Sequence, residues 1–417
     1  MIKRITQHIK SETGLQVIEL YGSTILQLLL GIVVSIIVAR ALKPEQYGHY
    51  SYLSKVFYLV VLIISTGHFV SMSKMLANSH DERVNRELLG TCLLLTGVLS
   101  ILYSIGIFFY SFFQDAFFQD KLGSVIRIFS IVVIMYPVQH YLENVLMGLN
   151  RIRELALVRT LPRILYVLSL AVFVTYMELT YTVALILLLT TSYVIDIFQI
   201  CRLRPLFSNI RHHWKQLSSE NHQYGIHVYW GSLAGVASIN LCALSISYFS
   251  GNKEFGYYNL ALSVSEPLML LPNVIATTLF RKFADMEMIP AIVIRSTLAL
   301  SAVSYILFFL FVNKLIILLY SRDYEPSIFL TYILGFGAIV HGLGDVYNRF
   351  LCAKGKGKEV RNGAFISGFV AVTAFLILVP LLNSLGAAIA RLTVAVCYLS
   401  AMFFFYSKAR KDIIPST

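Results

Sequence analysis

Charged residues are scarce in this chain: Asp, Glu, Lys and Arg make up 13% of its 417 residues, whereas hydrophobic residues make up 57%. Five long stretches contain no charged residue at all: Leu20–Ala39, Val56–Ser73, Leu88–Gln114, Tyr224–Asn252 and Asn362–Ala390. Soluble domains carry about 25% charged residues, so this composition excludes a water-surrounded globular protein. Because about 20 apolar residues are enough for a helix to cross the hydrocarbon core, the stretches predict a polytopic membrane protein.

Cysteine pairs and catalytic motifs are missing as well. The five cysteines are scattered through apolar segments, without the spacing of a disulfide framework or a zinc site. The chain has no H-E-x-x-H, G-x-S-x-G or G-x-x-x-x-G-K-[ST] motif, and no loop is long enough for a soluble catalytic domain. No enzyme activity, cofactor or metal is therefore predicted. Met1–Gln16 is polar and the first apolar run has no cleavage pattern, so no cleavable signal peptide is expected.

The apolar segments predict an all-α integral membrane protein with twelve transmembrane helices. These are residues 17–39, 50–73, 89–113, 123–149, 155–177, 181–201, 225–249, 256–280, 291–318, 328–352, 361–381 and 387–407. The loops on one side carry 21 Lys and Arg residues and those on the other only five, which are Arg40, Lys43, Lys121, Lys253 and Arg322. Since Lys and Arg accumulate in cytoplasmic loops, both termini and the 202–224 connection are expected in the cytoplasm.

The 202–224 connection separates two predicted six-helix bundles, 1–201 and 225–417, which resemble each other. Tyr47-Gly48-His49-Tyr50 follows the first helix, and Phe255-Gly256-Tyr257-Tyr258 follows the seventh. His140-x-x-Glu143 in the fourth helix is matched by His341-x-x-x-Asp345 in the tenth. Because six is an even number, both halves start on the same side of the membrane. This predicts a pseudo-two-fold axis along the membrane normal and a substrate site between the halves.

Four parts of the chain resemble the Wzx-type polysaccharide flippases, which translocate O-antigen or capsule repeat units. They are residues 31–48, residues 255–272 with Glu266-Pro267-Leu268 and Leu271-Pro272, the loop Lys354–Lys358, and Pro380 with Gly386–Ala390. The first of these departs from the family at Lys43, where a glycine is usual. The resemblance extends over essentially the whole chain.

The resemblance implies the fold of the multidrug/oligosaccharidyl-lipid/polysaccharide exporter superfamily, which is MATE-like. It further implies a bacterial inner membrane and transfer of an undecaprenyl-diphosphate-linked oligosaccharide from the cytoplasmic to the periplasmic leaflet. The partners it implies are this lipid-linked oligosaccharide, membrane lipids, a polysaccharide polymerase and chain-length proteins. Nucleic acid is not expected as a partner, because most of the positive charge lies in the loops on one side of the membrane and is explained by the topology.

Basic side chains within the predicted helices are candidates for binding the diphosphate. Arg159 and Arg163 are four residues apart on the fifth helix and share one face, and Pro162 between them can bend the helix. Arginine binds phosphate oxygens bidentately, but a long basic side chain near a helix end can instead reach the headgroups. The same two interpretations apply to Arg40 and Lys55. Arg391 lies within about a turn of a predicted helix end, so its side chain is expected to reach the lipid headgroups.

Acidic and histidine side chains in the helices are candidates for ion coupling. Glu266 lies near the middle of the eighth helix, before Pro267, where we expect the helix to bend. His341 and Asp345 share a face of the tenth helix, and His140 and Glu143 share one of the fourth. A His beside a carboxylate can take up a proton near neutral pH, although a satisfied interhelical hydrogen bond is the alternative.

Three further intramembrane groups have simpler interpretations. Asp345 lies four residues before Arg349, and the two can neutralise each other on one helix face. Asp196 and His68 have no partner in the sequence pattern, and each is expected to form an interhelical hydrogen bond.

Three functions fit these observations. The first is a flippase that works by alternating access, with downhill ion entry as a source of energy. The second is a cation-coupled multidrug exporter of the same fold, but the buried basic groups outnumber the buried acids, which favours an anionic cargo. The third is a membrane assembly factor without transport activity. A scaffold would gain little from ionisable groups that are costly to bury in lipid.

Overall fold

A computed structural model describes residues 12–79 and 81–413, which form helices joined by short connections. The α-helices are α1 (Glu12–Ile64), α2 (His68–Asn78), α3 (Glu82–Phe117), α4 (Gly123–Val132), α5 (Tyr136–Gly148), α6 (Ile152–Tyr176), α7 (Tyr181–Leu203), α8 (Ile210–Glu220), α9 (Ile226–Ser250), α10 (Asn252–Ser265), α11 (Leu270–Asp285), α12 (Ala291–Leu319), α13 (Ser327–Ala353) and α14 (Gly357–Ile413). Residues 1–11 lie outside the described ranges. They include most of the polar segment Met1–Gln16 and three basic residues that contribute to the predicted topology, Lys3, Arg4 and Lys10.

Nine segments of the described chain are long and apolar enough to cross a membrane. Two of them, Gly22–Ile64 and Gly357–Arg410, are much longer than one crossing and contain a break, at Lys43 and at Asn383. Dividing both at these breaks and adding the 25-residue α9 gives twelve segments. Many large apolar side chains along them point outward, including Phe109, Val172 and Leu318. Outward apolar surface of this kind suits lipid, and the predicted all-α membrane fold is confirmed.

The chain forms two compact units. The first unit comprises the described residues up to Ala41, together with Leu53–Phe117 and Lys121–Ala234. The second unit comprises Leu42–Tyr52, Phe118–Asp120 and the described residues from Gly235 onward. The predicted connection between the halves contains α8, which packs on α2 and α3 within the first unit. His213 and Leu217 form its buried face.

Proline explains one interruption of the helices. The sequence predicts a bend at Pro267, and the structure has a 3-10 turn at Glu266–Met269 between α10 and α11. Proline lacks the N–H that an α-helix requires, so the hydrogen-bond ladder is interrupted there. By contrast, α6 is one continuous helix from Ile152 to Tyr176 with Pro162 inside it.

Another interruption, between α1 and α2, has no proline. Thr66 and Gly67 have φ angles of 45° and 80°, which end the helix. The carbonyls left without helical partners are bound by two residues of the same unit, before and after the start of α9: Asn221 Nδ2 donates to Thr66 O at 3.2 Å and Tyr229 Oη donates to Ile63 O at 2.6 Å. Backbone groups in lipid must find such partners.

A close crossing of two helices organises one end of the second unit. Gly48, in the second part of α1, lies against Asn252 and Gly256 at the start of α10. A Cβ on Gly48 would lie 1.8 Å from Asn252 O, and one on Gly256 would lie 2.5 Å from Pro44 O. Gly48 and Gly256 are the matching glycines of the internal repeat. Only glycine permits this approach of the two backbones.

The loop 118–120 completes this end of the second unit. Asp120 accepts a hydrogen bond from the backbone N–H of Asn252, and its carboxylate lies 3.8 Å from His49 Nε2. The interaction with His49 and the Asn252 N–H together hold the pKa of Asp120 below its usual value, against the opposing effect of burial.

Lys43 has a backbone conformation that favours glycine. Its φ and ψ are 61° and 169°, in a region that costs a side-chain-bearing residue about 1–3 kcal/mol. We expect Lys43→Gly to raise the thermal stability of the purified protein by about 1 kcal/mol, because the strain is relieved. Lys253→Gly, in the first turn of α10, is the matched control and should not stabilise. If the two changes affected stability equally, the proposed backbone strain at Lys43 would be contradicted.

Candidate functional site

An ion pair in the first unit joins two of the predicted site residues. Arg159 on α6 donates to Glu143 on α5, with 2.7 Å between Nη2 and Oε2. Both side chains are about 30% exposed, so the pair is not sealed in the core. Arg159 lies seven residues after the start of α6, about 10 Å into the helix. The sequence predicts both residues as functional, but for separate roles, and the structure brings them together.

Arg163 lies one turn further along α6 and is exposed. Its Nη1 donates to the backbone carbonyl of Gln27 on α1 at 2.8 Å, next to Gly31. The face of α6 predicted from the four-residue spacing carries both guanidinium groups, with Arg159 bound to α5 and Arg163 bound to α1.

Arg40 and Lys55 are exposed side chains in the first unit. Within the described part of the chain, neither of them takes part in an ion pair. The structure does not join them to the Arg159–Glu143 pair, so their predicted diphosphate contacts stay predictions.

His140 lies beside Glu143 on α5. Its ring meets Phe69 edge-on, with 5.4 Å between the centroids, and its backbone carbonyl accepts from Asn144 Nδ2 at 2.9 Å. Glu143 binds Arg159 and not the ring of His140. The predicted pairing of His140 with Glu143 therefore becomes a three-member cluster that includes Arg159.

Asp196 corrects one expectation. Its side chain on α7 is 1% exposed, and among the described residues neither carboxyl oxygen has a hydrogen-bond partner. The expected interhelical hydrogen bond of Asp196 is absent there, because the packing of α7 brings no donor within reach of either oxygen. His68, the other lone residue, meets the Thr66 hydroxyl at 3.0 Å and stacks on Trp214 of α8.

A small cavity inside the second unit brings together two predicted coupling residues. Glu266 and His341 both line it, and so does Arg391. The cavity measures about 40 Å³, room for roughly two or three water molecules. The sequence places Arg391 within about a turn of a helix end, but α14 resumes soon after Asn383, so Arg391 lies about two turns inside the helix and lines this cavity.

Tyr398 connects the other predicted coupling residues of the second unit. Its hydroxyl donates to Asp345 Oδ1 at 2.9 Å and accepts from Asn348 Nδ2 at 2.7 Å. Its ring stacks on His341, with centroids 4.4 Å apart. In the described chain Arg349 forms no ion pair with Asp345, so the two do not neutralise each other directly. No sequence pattern singles out Tyr398, which is one of 25 tyrosines.

These arrangements permit two kinds of chemistry. The first unit presents arginine forks to an anion, with Glu143 as an internal competitor for Arg159. The second unit holds a small cavity lined by an acid, a histidine and an arginine, which can exchange protons or hold charge.

The family of polysaccharide biosynthesis proteins matches residues 16–287 of this chain, which is more than half of it. This protein belongs to that family. The resemblance inferred from the motifs is thereby confirmed at the level of the family. No curated protein has a sequence that matches it.

Solved structures share the fold of this polysaccharide biosynthesis protein. It is similar to the lipid II flippase MurJ in an inward closed conformation, with a TM-score of 0.75 and 12% identity over 94% of this chain and 89% of that one. It is also similar to an inward-facing multidrug resistance MATE family transporter, with a TM-score of 0.68 and 13% identity over 93% of this chain and 94% of that one. For the MATE multidrug transporter DinF-BH, the TM-score is 0.66 and the identity 13%, over 97% of this chain and 96% of that one. Identities this low establish the MATE-like fold alone.

Proposed function

We propose that this protein is a flippase that moves an undecaprenyl-diphosphate-linked oligosaccharide, an O-antigen or capsule repeat unit, from the cytoplasmic to the periplasmic leaflet. The observation that supports this most directly is the face of α6, where Arg159 and Arg163 present two guanidinium groups about 10 Å or more into a spanning helix. Two like charges at this depth of the membrane are costly unless anions lie beside them, and Glu143 balances only one of the two. A diphosphate is such an anion.

The chemistry of arginine suits a diphosphate. The planar fork donates two parallel hydrogen bonds to phosphate oxygens, and their strength rises where water is excluded. Glu143 holds Arg159 in place through the 2.7 Å ion pair until cargo arrives. The diphosphate then replaces the Glu143 carboxylate as the partner of Arg159. Arg40 and Lys55 are further proposed phosphate contacts, reached as the headgroup moves.

The transport cycle proposed here is alternating access of the two six-helix bundles. The sugars pass through water, and the polyprenyl chain stays in lipid, because a wet cavity would forfeit its hydrophobic contacts. We place the protein in a bacterial inner membrane with both termini in the cytoplasm, as the loop charges predict. A polysaccharide polymerase and chain-length proteins are the proposed partners.

A multidrug exporter of the same fold is the rival function, because two of the structural relatives are multidrug transporters. Cationic drugs need acids that are free to receive them. The exposed acid of the first-unit site, Glu143, already has Arg159 as a partner, whereas Arg40 and Lys55 are exposed without an ion pair in the described chain. The charge of the site and the family match both favour an anionic saccharide lipid.

The proposed test of the function is deletion of the gene in its host. Lipid-linked oligosaccharide should then accumulate at the cytoplasmic face, and surface polysaccharide should fall, since the polymer is built from flipped units. Extraction of lipid-linked intermediates and staining of surface polysaccharide measure the two effects. Unchanged surface polysaccharide would eliminate the flippase proposal, and drug sensitivity without a polysaccharide defect would favour the rival.

We also propose that Glu266, His341 and Asp345 couple ion entry to transport, with His140 and Glu143 as the matching pair in the first unit. The cavity shared by Glu266, His341 and Arg391 and the link from His341 to Asp345 through Tyr398 support this role. Replacing His341 by Gln and Asp345 by Asn together should flatten the pH dependence of flipping in proteoliposomes, because two titratable groups are lost. The control is Cys352→Ser on the same helix. A pH dependence that survives in the double variant would eliminate this coupling path.

A further inference from the structure

Asp196 is a deeply buried acid without a hydrogen-bond partner among the described residues of the first unit. Its side chain is 1% exposed, and in the described chain neither oxygen meets a hydrogen-bond donor. An ionised carboxylate without a partner costs several kcal/mol or more in such surroundings. The flippase proposal gives Asp196 no role.

The helices packed against α7 bring other charged groups towards Asp196. α5 contributes His140 and Glu143, and α6 contributes Arg159. The Glu143 carboxylate acts on Asp196 electrostatically, and Asp196 in turn acts on Tyr193 of α7. Arg159 is the one cation of this group, and it is already bound to Glu143 at 2.7 Å.

The charges of this group have a direct consequence for an anion site. The proposed diphosphate site holds Glu143, Arg159 and Arg163, whose charges sum to +1. An ionised Asp196 lowers this net charge to zero, whereas a neutral Asp196 leaves it at +1 and does not repel the anion. Loss of the net positive charge would weaken diphosphate binding, because charges interact strongly where water is scarce.

We infer that Asp196 is a proton-binding site, and that its proton sets the net charge of the diphosphate site around the Arg159–Glu143 pair. One proton from water adds to one carboxylate oxygen of Asp196 to give the neutral acid, and no other bond changes. A metal cation is a poorer occupant, because it requires several oxygen ligands and no group of three His, Cys, Asp or Glu side chains in the described chain could hold one.

The proton itself can be measured without any transport. Infrared titration of the purified full-length protein from pH 6 to pH 9 reports the carbonyl band of protonated carboxyl groups. We expect one band to be lost in Asp196→Asn and in Asp196→Leu, while Asp196→Glu keeps a band at a shifted frequency. Thermal unfolding of each variant checks that it is folded. Identical spectra for the wild type and both neutral variants would overturn the inference.

The consequence for cargo rests on the proposed function and has its own measurement. Undecaprenyl diphosphate is titrated in nanodiscs, with undecaprenol as the uncharged control. Above the pH at which the Asp196 band disappears, wild-type affinity should fall by up to about tenfold per pH unit, whereas that of Asp196→Asn should change less than about twofold. If the band persists to pH 9, the affinity must persist too.

The outcomes separate the two proposals. A fall in affinity that is equal in wild type and Asp196→Asn overturns the inference. Stabilisation by Na⁺ at constant pH that is lost in Asp196→Asn would assign the site to a metal ion and also overturn it. If neither protein prefers the diphosphate to undecaprenol, the flippase proposal fails, and the infrared band still decides whether Asp196 carries a proton.

Discussion

Export of lipid-linked oligosaccharide is expected to fall by roughly a hundredfold or more when Arg159 and Arg163 are both replaced by glutamine. Each hydrogen bond to a charged group is worth about 1.5–3 kcal/mol, so loss of two or more such bonds to a diphosphate removes at least two orders of magnitude in affinity. Glutamine keeps much of the length and polarity of the side chain, so the change isolates the charge. Flipping of a labelled polyprenyl-diphosphate saccharide in proteoliposomes measures the effect.

The matched control is the double change of Arg211 and Lys215 to glutamine. These residues also lie four apart on one helix, α8, and both are exposed. The control removes the same net charge from the same unit but leaves α6 intact, and flipping should stay within about twofold of the wild type, as expected of surface positions. Full activity of the α6 double variant would return Arg159 and Arg163 to a headgroup-anchoring role.

A single Cβ at Gly48 is expected to destabilise the second unit by about 1–3 kcal/mol or more. Gly48→Ala would place that atom 1.8 Å from Asn252 O, a backbone atom that cannot rotate away. The start of α10 must then shift, and with it the backbone N–H of Asn252 that donates to Asp120. Gly256→Ala, with its Cβ 2.5 Å from Pro44 O, should act in the same direction. Thermal unfolding in detergent and the yield of monodisperse protein measure both changes.

Gly97→Ala is the control for this prediction. Gly97 lies inside α3, and a Cβ there would meet nothing within 4 Å. Because alanine favours the helix over glycine by up to about 1 kcal/mol, this change should be neutral or stabilising. If Gly48→Ala and Gly97→Ala gave the same stability, the close crossing would not be a constraint on the fold.

The helices and their breaks were partly predictable. Apolar length and period predict most of the spans to within a few residues, but the predicted helix 50–73 is broken into the end of α1 and α2, and α3 begins at Glu82, seven residues before its predicted start. Pro267 predicts the turn at Glu266–Met269, because proline cannot donate. The break at Thr66 and Gly67 was not predictable in this way. It depends on Asn221 and Tyr229, more than 150 residues away, which bind the exposed carbonyls.

In the candidate site, too, local features were predictable from the sequence and contacts between helices were not. The spacing of Arg159 and Arg163 predicts a shared helix face, because helical geometry is local. The pairing of Arg159 with Glu143 depends on how α5 and α6 pack, and the link from His341 to Asp345 depends on Tyr398 of α14. Arg391 was assigned to the membrane surface from its distance to a predicted helix end, and an error of a few residues in that end was enough to change its environment.

The sequence alone determined the solvent of this protein, the positions of its spanning helices and the family to which it belongs, because hydrophobicity, helical period and short motifs are properties of contiguous residues. Only the tertiary structure decided that Glu143 forms an ion pair with Arg159 and that Glu266, His341 and Arg391 line one cavity. It also decided that Asp196 has no hydrogen-bond donor within reach in the described chain. Those facts depend on the distances between side chains of different helices, which packing sets and sequence spacing does not encode.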